Sequence, residues 1–270
     1  MNQLFSRPDW YCAPCGNLRA AVTEQAIPGM PAFMGGLRVM FAADFHVLDR
    51  TTDGEIAALV DLMASRQPDL LLLGGDYGDT APLAERLFAA LGRLCPPLGA
   101  YGVIGNNDAE AWQGRLRDLR RVMARAGCRL LVNQSARLAV NGGTLFIGGV
   151  DEGLYGRPDA SGLYPERPAP DACRILLSHY ARVPENPPEL MLSGHTHGGQ
   201  FNLLGVTPFT IGFERLFHSR HTHRRVASQV IAGLRETGGT KLLVTKGIGA
   251  SRIQWRVGVR PEINLLRFEP

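Results

Sequence analysis

Short apolar runs and longer amphipathic stretches alternate along the first half of the chain. Residues 37–43 are almost unbroken apolar, the pattern of a strand buried on both faces. Thr52-Asp53-Gly54-Glu55 then has the spacing of a capping box. It predicts a helix with Ile56, Leu59, Val60 and Met63 on its apolar face. A second buried strand is expected at 70–73, and a helix after it with Leu83, Leu87, Leu91 and Leu94 on one side. A third strand is expected at 99–104. Asp108 is placed to cap a single third helix, with Trp112, Leu116, Leu119 and Met123 inward and Gly127 as its stop. Strand–helix alternation of this kind predicts parallel strands with right-handed crossovers.

The second half reads differently. Residues 137–140 and 144–147, joined through Asn141-Gly142-Gly143, predict a hairpin. Further strands are expected at 174–177, 190–192, 241–245 and 262–268, with a Pro-rich loop over 157–170. Residues 1–36 show no period and are read as an irregular lead-in to one domain over 37–270. The sum is an α/β fold, two mixed β-sheets in a sandwich flanked by helices.

Composition narrows the function classes. A 45% hydrophobic and 20% charged chain has the material for a core, which argues against disorder. The +4 net charge from 29 basic and 25 acidic residues is too small to imply nucleic acid, and it suits an anionic substrate. Five scattered cysteines point to a reducing compartment rather than a disulfide framework. Cys12-x-x-Cys15 lacks the second pair that a structural zinc site requires. No run reaches the length of a spanning helix, so a cytoplasmic protein is expected, with peripheral contact at the inner membrane as a variant of that reading.

Chemistry gathers at the strand ends. In chain order they present Asp44 and His46; Asp76; Asn106, Asn107 and Asp108; His179; then His195 and His197 in Gly194-His195-Thr196-His197-Gly198-Gly199-Gln200. Ligands of open α/β sheets bind outside the carboxyl ends of strands. Oxygen donors and imidazoles collected there suit two divalent ions that activate water and stabilise displacement at phosphorus.

These five blocks resemble the calcineurin-like metallophosphoesterase superfamily, whose pattern runs D-x-H, GD, GNH-D/E, H, GH-x-H. The resemblance implies that Asp44, His46 and His197 hold one ion, Asn106, His179 and His195 the other, and that Asp76 bridges them. Mixed nitrogen and oxygen ligation suits manganese, iron or zinc, and affinity order alone does not choose among them; manganese is the expected metal. Asn107 and Asp108 stand in the catalytic block. Where the family has a histidine that protonates the leaving group, this chain has Asn107, which cannot act as a general acid near neutral pH. That departure favours a good leaving group, as in pyrophosphate cleavage, over monoester hydrolysis.

The Gly194–Gln200 motif, with Gly247-Ile248-Gly249 and Arg260-Pro261-Glu262-Ile263, resembles a bacterial branch acting on lipid-linked or nucleotide-linked substrates. The expected reaction is therefore hydrolysis of UDP-2,3-diacylglucosamine to lipid X and UMP. A broad-specificity phosphodiesterase and a non-catalytic metal-bearing scaffold are the alternatives. Arg252, Arg256 and His218 are candidates for substrate phosphates. The apolar stretch 201–217, which contains Arg215 and is followed by Arg220, Arg224 and Arg225, is read as core packing or as a wall for acyl chains.

Overall fold

The computed structural model describes residues 11–14, 18–165, 169, 171–202, 206–207, 230–250 and 253–270. One six-stranded sheet runs in the order β2 (Ala21–Ile27), β14 (Glu262–Phe268), β3 (Val39–Ala42), β4 (Leu70–Leu73), β5 (Ala100–Gly102), β6 (Cys128–Leu130). Within it β3 to β6 are parallel, β14 is antiparallel to β3, and β2 is parallel to β14. The second six-stranded sheet runs β11 (Gly233–Thr237), β12 (Thr240–Val244), β10 (Leu190–Ser193), β9 (Ala172–Leu177), β8 (Gly143–Gly149), β7 (Gln134–Val140). Here β12, β10, β9 and β8 are parallel, between an antiparallel strand at each edge. A short β1 (Cys12–Pro14) pairs with β13 (Trp255–Val257).

The two-residue period of each strand sorts its side chains between layers. Val39 and Phe41, Leu70 and Leu72, Ile175 and Leu177, Leu190 and Leu192 all enter one buried cluster between the sheets. Met40 and Ala42, Leu71 and Leu73 turn the other way, onto the helices. This is why the strands read as continuous apolar runs: both faces are covered. The helices are α1 (Asp53–Ala64), α2 (Ala81–Leu91), α3 (Asn106–Trp112) and α4 (Leu116–Arg125). Among the described residues, helices cover only the first sheet. Residues of 150–164, including Val150 and Leu163, pack on the second.

The Thr52–Glu55 capping box is formed, and α1 buries Ile56, Leu59, Val60 and Met63 as the pattern predicts. Three expectations are corrected. The single third helix is two, because Gln113 and Gly114 adopt φ of 46° and 77° and break it. Gly105 is the N-cap of α3, and Asp108 lies inside its first turn, reaching back to the Gly105 N–H at 2.9 Å. Residues 21–27, within the stretch expected to be irregular, form an edge strand on β14. Thr23 and Glu24, neighbours that point to opposite faces, are both exposed, so no apolar period announces it. The short strands β1, β6, β11 and β13 likewise have no counterpart among the expected elements. No helix of the described residues is long and apolar enough to cross a membrane.

Candidate metal centre

The carboxyl ends of β3, β4, β5, β9 and β10 meet along one edge of the sandwich, and the expected side chains converge there. Asp44, His46 and His197 form one group of mutually close potential ligand atoms, and Asp44, Asp76 and His179 form another. All five are buried. Oδ2 of Asp76 lies 3.4 Å from His46 Nε2 and 3.4 Å from His179 Nε2, one oxygen between two imidazoles. Oδ1 of the same carboxylate accepts the Asn107 N–H at 2.9 Å. Asp44 accepts the His195 N–H on both oxygens, at 3.0 and 3.1 Å.

Backbone conformation aims these groups. Asp44, His46, Asp76, His195 and His197 all have positive φ, between 44° and 70°. Non-glycine residues adopt this region rarely and at a cost, and such strain concentrates where a site requires it. Two glycines make the convergence sterically feasible. Gly75 has a φ of 93° and its missing Cβ would strike the Gly105 backbone, while a Cβ on Gly194 would lie 2.6 Å from Asp44 Oδ2. The late 245–249 loop closes the site from below, with Gly249 N–H donating to the Asp44 carbonyl at 2.6 Å.

Asn106 and His195 border the buried groups. The Tyr180 hydroxyl donates to Asn106 Oδ1 at 3.1 Å, and the Tyr180 ring sits 4.3 Å from the His195 ring, which in turn is 5.2 Å from that of His179. Asn107 is half-buried against His46, its Nδ2 2.9 Å from the ring Nδ1.

Electrostatics follows from this crowding. Burial raises the Asp44 carboxyl, with the His179 and His46 charges opposing it in part. Burial also pushes Asp76 upward, but its histidine neighbours, His179 foremost, outweigh that and hold it below the usual carboxylate range. Burial disfavours the charged form of His179, yet Asp76 and Asp44 overcome this and raise it to about 10. His197 is driven well below the ordinary imidazole value by burial, then by the charges of His46 and Arg256.

The donor set fits a divalent ion. His179 Nδ1 lies 2.8 Å from the Gly74 carbonyl and donates to it, leaving Nε2 buried with no hydrogen-bond partner beside Asp76. An imidazole fixed through one nitrogen, with the other turned into a buried carboxylate cluster, is the arrangement of a metal ligand held from behind.

Two candidates face away from the cluster. Asp108 does not open onto the cluster: its oxygens accept the N–H groups of Asp76, Tyr77 and Gly105 at 2.7, 3.0 and 2.9 Å. Arg256 is not at a substrate-facing surface but fully buried, its guanidinium donating to the Lys246 and Gly249 carbonyls and lying 3.1 Å from His197 Nδ1. Arg252 and His218 lie outside the described residues, as does most of the 201–217 stretch. Sequence reasoning missed Tyr180 and Asp79, whose Oδ1 lies 3.4 Å from His46 Nδ1. Position beside His179 was the one available signal for Tyr180.

The calcineurin-like phosphoesterase family model matches residues 37–199, which is more than half of the chain and contains every ligand candidate above. The chain belongs to this family. It is a phosphoric-ester hydrolase with a cluster of metal-binding residues. Its relatives include the uncharacterized metallophosphoesterase YkoQ of Bacillus subtilis, 26% identical over 87% of this chain and 84% of the relative. Phosphodiesterase YaeI of Escherichia coli is 27% identical over 86% of this chain and 82% of its own length. A bovine transmembrane protein with metallophosphoesterase domain is 26% identical over 91% of this chain, which spans 56% of that relative.

Proposed function

We propose that this phosphoesterase uses two divalent ions to hydrolyse a phosphodiester or pyrophosphate bond. The observation that carries this reading is Asp76 Oδ2, equidistant at 3.4 Å from His46 and His179, with a further potential ligand set on either side. Asp44, His46 and His197 would hold one ion, Asn106, His179 and His195 the other, and Asp76 both. Ions bound there supply activation of water and neutralisation of charge on phosphorus oxygens. Manganese is the proposed metal, with iron or zinc the alternatives.

The chain's own residues set the limits of the reaction. Asn107 occupies the position expected for a proton donor, and an amide donates a hydrogen bond but no proton near neutral pH. The departing group must therefore leave as a stable anion, which a phosphodiester with an acidic alcohol or a pyrophosphate provides and an alkyl monoester does not. The resemblance to a relative named a phosphodiesterase supports the same class. Asp108 is a positioning residue here, holding the β4 end and α3 together rather than touching substrate.

A lipid-linked nucleotide such as UDP-2,3-diacylglucosamine is the proposed physiological substrate, at an inner-membrane surface. Gln200, directly after the histidine turn, donates to the Ile253 and Trp255 carbonyls, and those two side chains are 41% and 47% exposed. Exposed apolar groups beside the centre suit a substrate with an acyl portion.

The test is product analysis with Mn²⁺, comparing UDP-2,3-diacylglucosamine, bis-p-nitrophenyl phosphate and p-nitrophenyl phosphate, each with Asp76→Ala as control. UMP release establishes the lipid-nucleotide reading. Turnover of the simple diester alone makes this a broad phosphodiesterase. Metal uptake without turnover of any ester points to a scaffold and sinks the proposal.

A further inference from the structure

Asn107 touches both halves of the centre. Its backbone N–H donates to Asp76 Oδ1 at 2.9 Å, its side-chain Oδ1 accepts from Asn106 Nδ2 at 3.1 Å, and its Nδ2 lies 2.9 Å from His46 Nδ1. Asn106 is anchored at its far end by the Tyr180 hydroxyl. Tyr180, Asn106, Asn107 and His46 thus form one hydrogen-bonded line across the site.

The line has a polarity. An amide has one donor end and one acceptor end. Whichever end of Asn107 turns to His46, Asn106 receives the other. His46 is a ligand candidate of one half and Asn106 of the other, so the orientation that suits one ligand dictates what its counterpart meets. The remaining neighbour of His46 Nδ1, Asp79, is 3.4 Å away on a side chain 45% exposed. That is longer than a good N–H···O bond, and Asp79 cannot take over the role without moving.

We propose that Asn107 is a positioning residue that couples the two ion subsites. Occupancy of the His46 half then changes affinity at the Asn106 half, and by linkage the reverse. This rests on the dinuclear reading above. It also gives Asn107 a task distinct from the proton donation it cannot perform.

The experiment is a cycle of Mn²⁺ titrations on the metal-free full-length chain, followed by calorimetry. His195→Ala weakens the Asn106 half, and Mn²⁺ affinity of the His46 half is measured with and without that change. The cycle is repeated in an Asn107→Asp background, which keeps the shape but removes the donor end. In the wild-type background, weakening one half should shift affinity at the other by roughly 5–150-fold, the ordinary range for coupled sites. In the Asn107→Asp background the shift should shrink several-fold, leaving only repulsion between the ions. Cobalt(II) spectra supply a second readout: filling the second subsite should perturb the first ion's visible bands in wild type and not in the variant. An equal shift in both backgrounds, with superimposable spectra, overturns the proposal. A wild-type chain that takes up fewer than two ions overturns the dinuclear reading first, and the coupling with it.

Discussion

The Nε2 atoms of His46 and His197 face each other at 3.2 Å in a buried site. Two such nitrogens cannot both be protonated at that distance. The environment divides them accordingly: burial opposes charge on both, but Asp79, Asp76 and Asp44 raise His46, while burial, His46 and Arg256 lower His197. Either one proton is shared between the rings or both lone pairs turn to a common cation. We expect Mn²⁺ to protect both rings from diethylpyrocarbonate and His197→Ala to reduce bound metal. Metal content measured by mass spectrometry at wild-type levels in that variant would count against the pair as ligands.

Metal uptake should release protons. His179 is raised to about 10 in the metal-free chain, so near neutral pH it carries a proton that an ion must displace. The same shift contributes stability to the metal-free chain that is fully present below the unfolded imidazole value and lost as pH rises through about 10. Apparent metal affinity should therefore fall as pH is lowered. Titrations in two buffers of different ionisation enthalpy will report the proton count, and a count of zero contradicts the expectation.

Asp108→Ala should cost stability before it costs chemistry. It strips three buried backbone N–H groups of their acceptor, at about 1–3 kcal/mol for a buried group left unsatisfied. Thermal melts of the metal-free chain should show a loss of several degrees. Asp108→Asn, which keeps an acceptor, should lose less.

Gly194 is not a ligand, yet Gly194→Ala should impair metal binding. The added methyl would sit 2.6 Å from Asp44 Oδ2, inside contact distance of a carboxylate that also anchors His195. We expect weaker Mn²⁺ binding by titration and also a lower melting temperature of the metal-free chain, because the same methyl would lie 2.9 Å from the buried Ala43 Cβ. Unaltered affinity would show that Asp44 can move aside at no cost.

Arg256 gives a sharper separation. As a guanidinium packed behind His197, it should affect the metal rather than the substrate. Arg256→Lys is expected to lower metal affinity on the order of 10–100-fold, the range for residues that support a ligand from behind, and to lower kcat more than it raises KM at saturating metal. A pure KM effect would return Arg256 to the substrate.

Much of this was legible because it depends on local order. Buried parallel strands need unbroken apolar runs, and 70–73 and 190–192 read as strands for that reason. The α1 boundary was legible because Thr52 and Glu55 satisfy each other within one turn. The ligand candidates could be found because each follows a strand that ends at the same sheet edge, a topological rule rather than a contact. Where elements depend on distant partners the pattern was silent: β2 exists through pairing with β14, some 240 residues later, and its exposed face carries no period.

Sequence alone determined the family and which strand ends carry its motif, because residue type and order along parallel strands suffice for that. Tertiary structure decided what each of them does there. Arg256 resembles a phosphate-binding arginine until β13 is seen to bury it behind His197, and Asp108 resembles a catalytic acid until three backbone N–H groups are seen to occupy it. The role of a polar side chain is set by which partners saturate its donors and acceptors, and the deciding ones, Asp76 and Tyr77 for Asp108 and His197 for Arg256, lie 31 to 59 residues away in the chain.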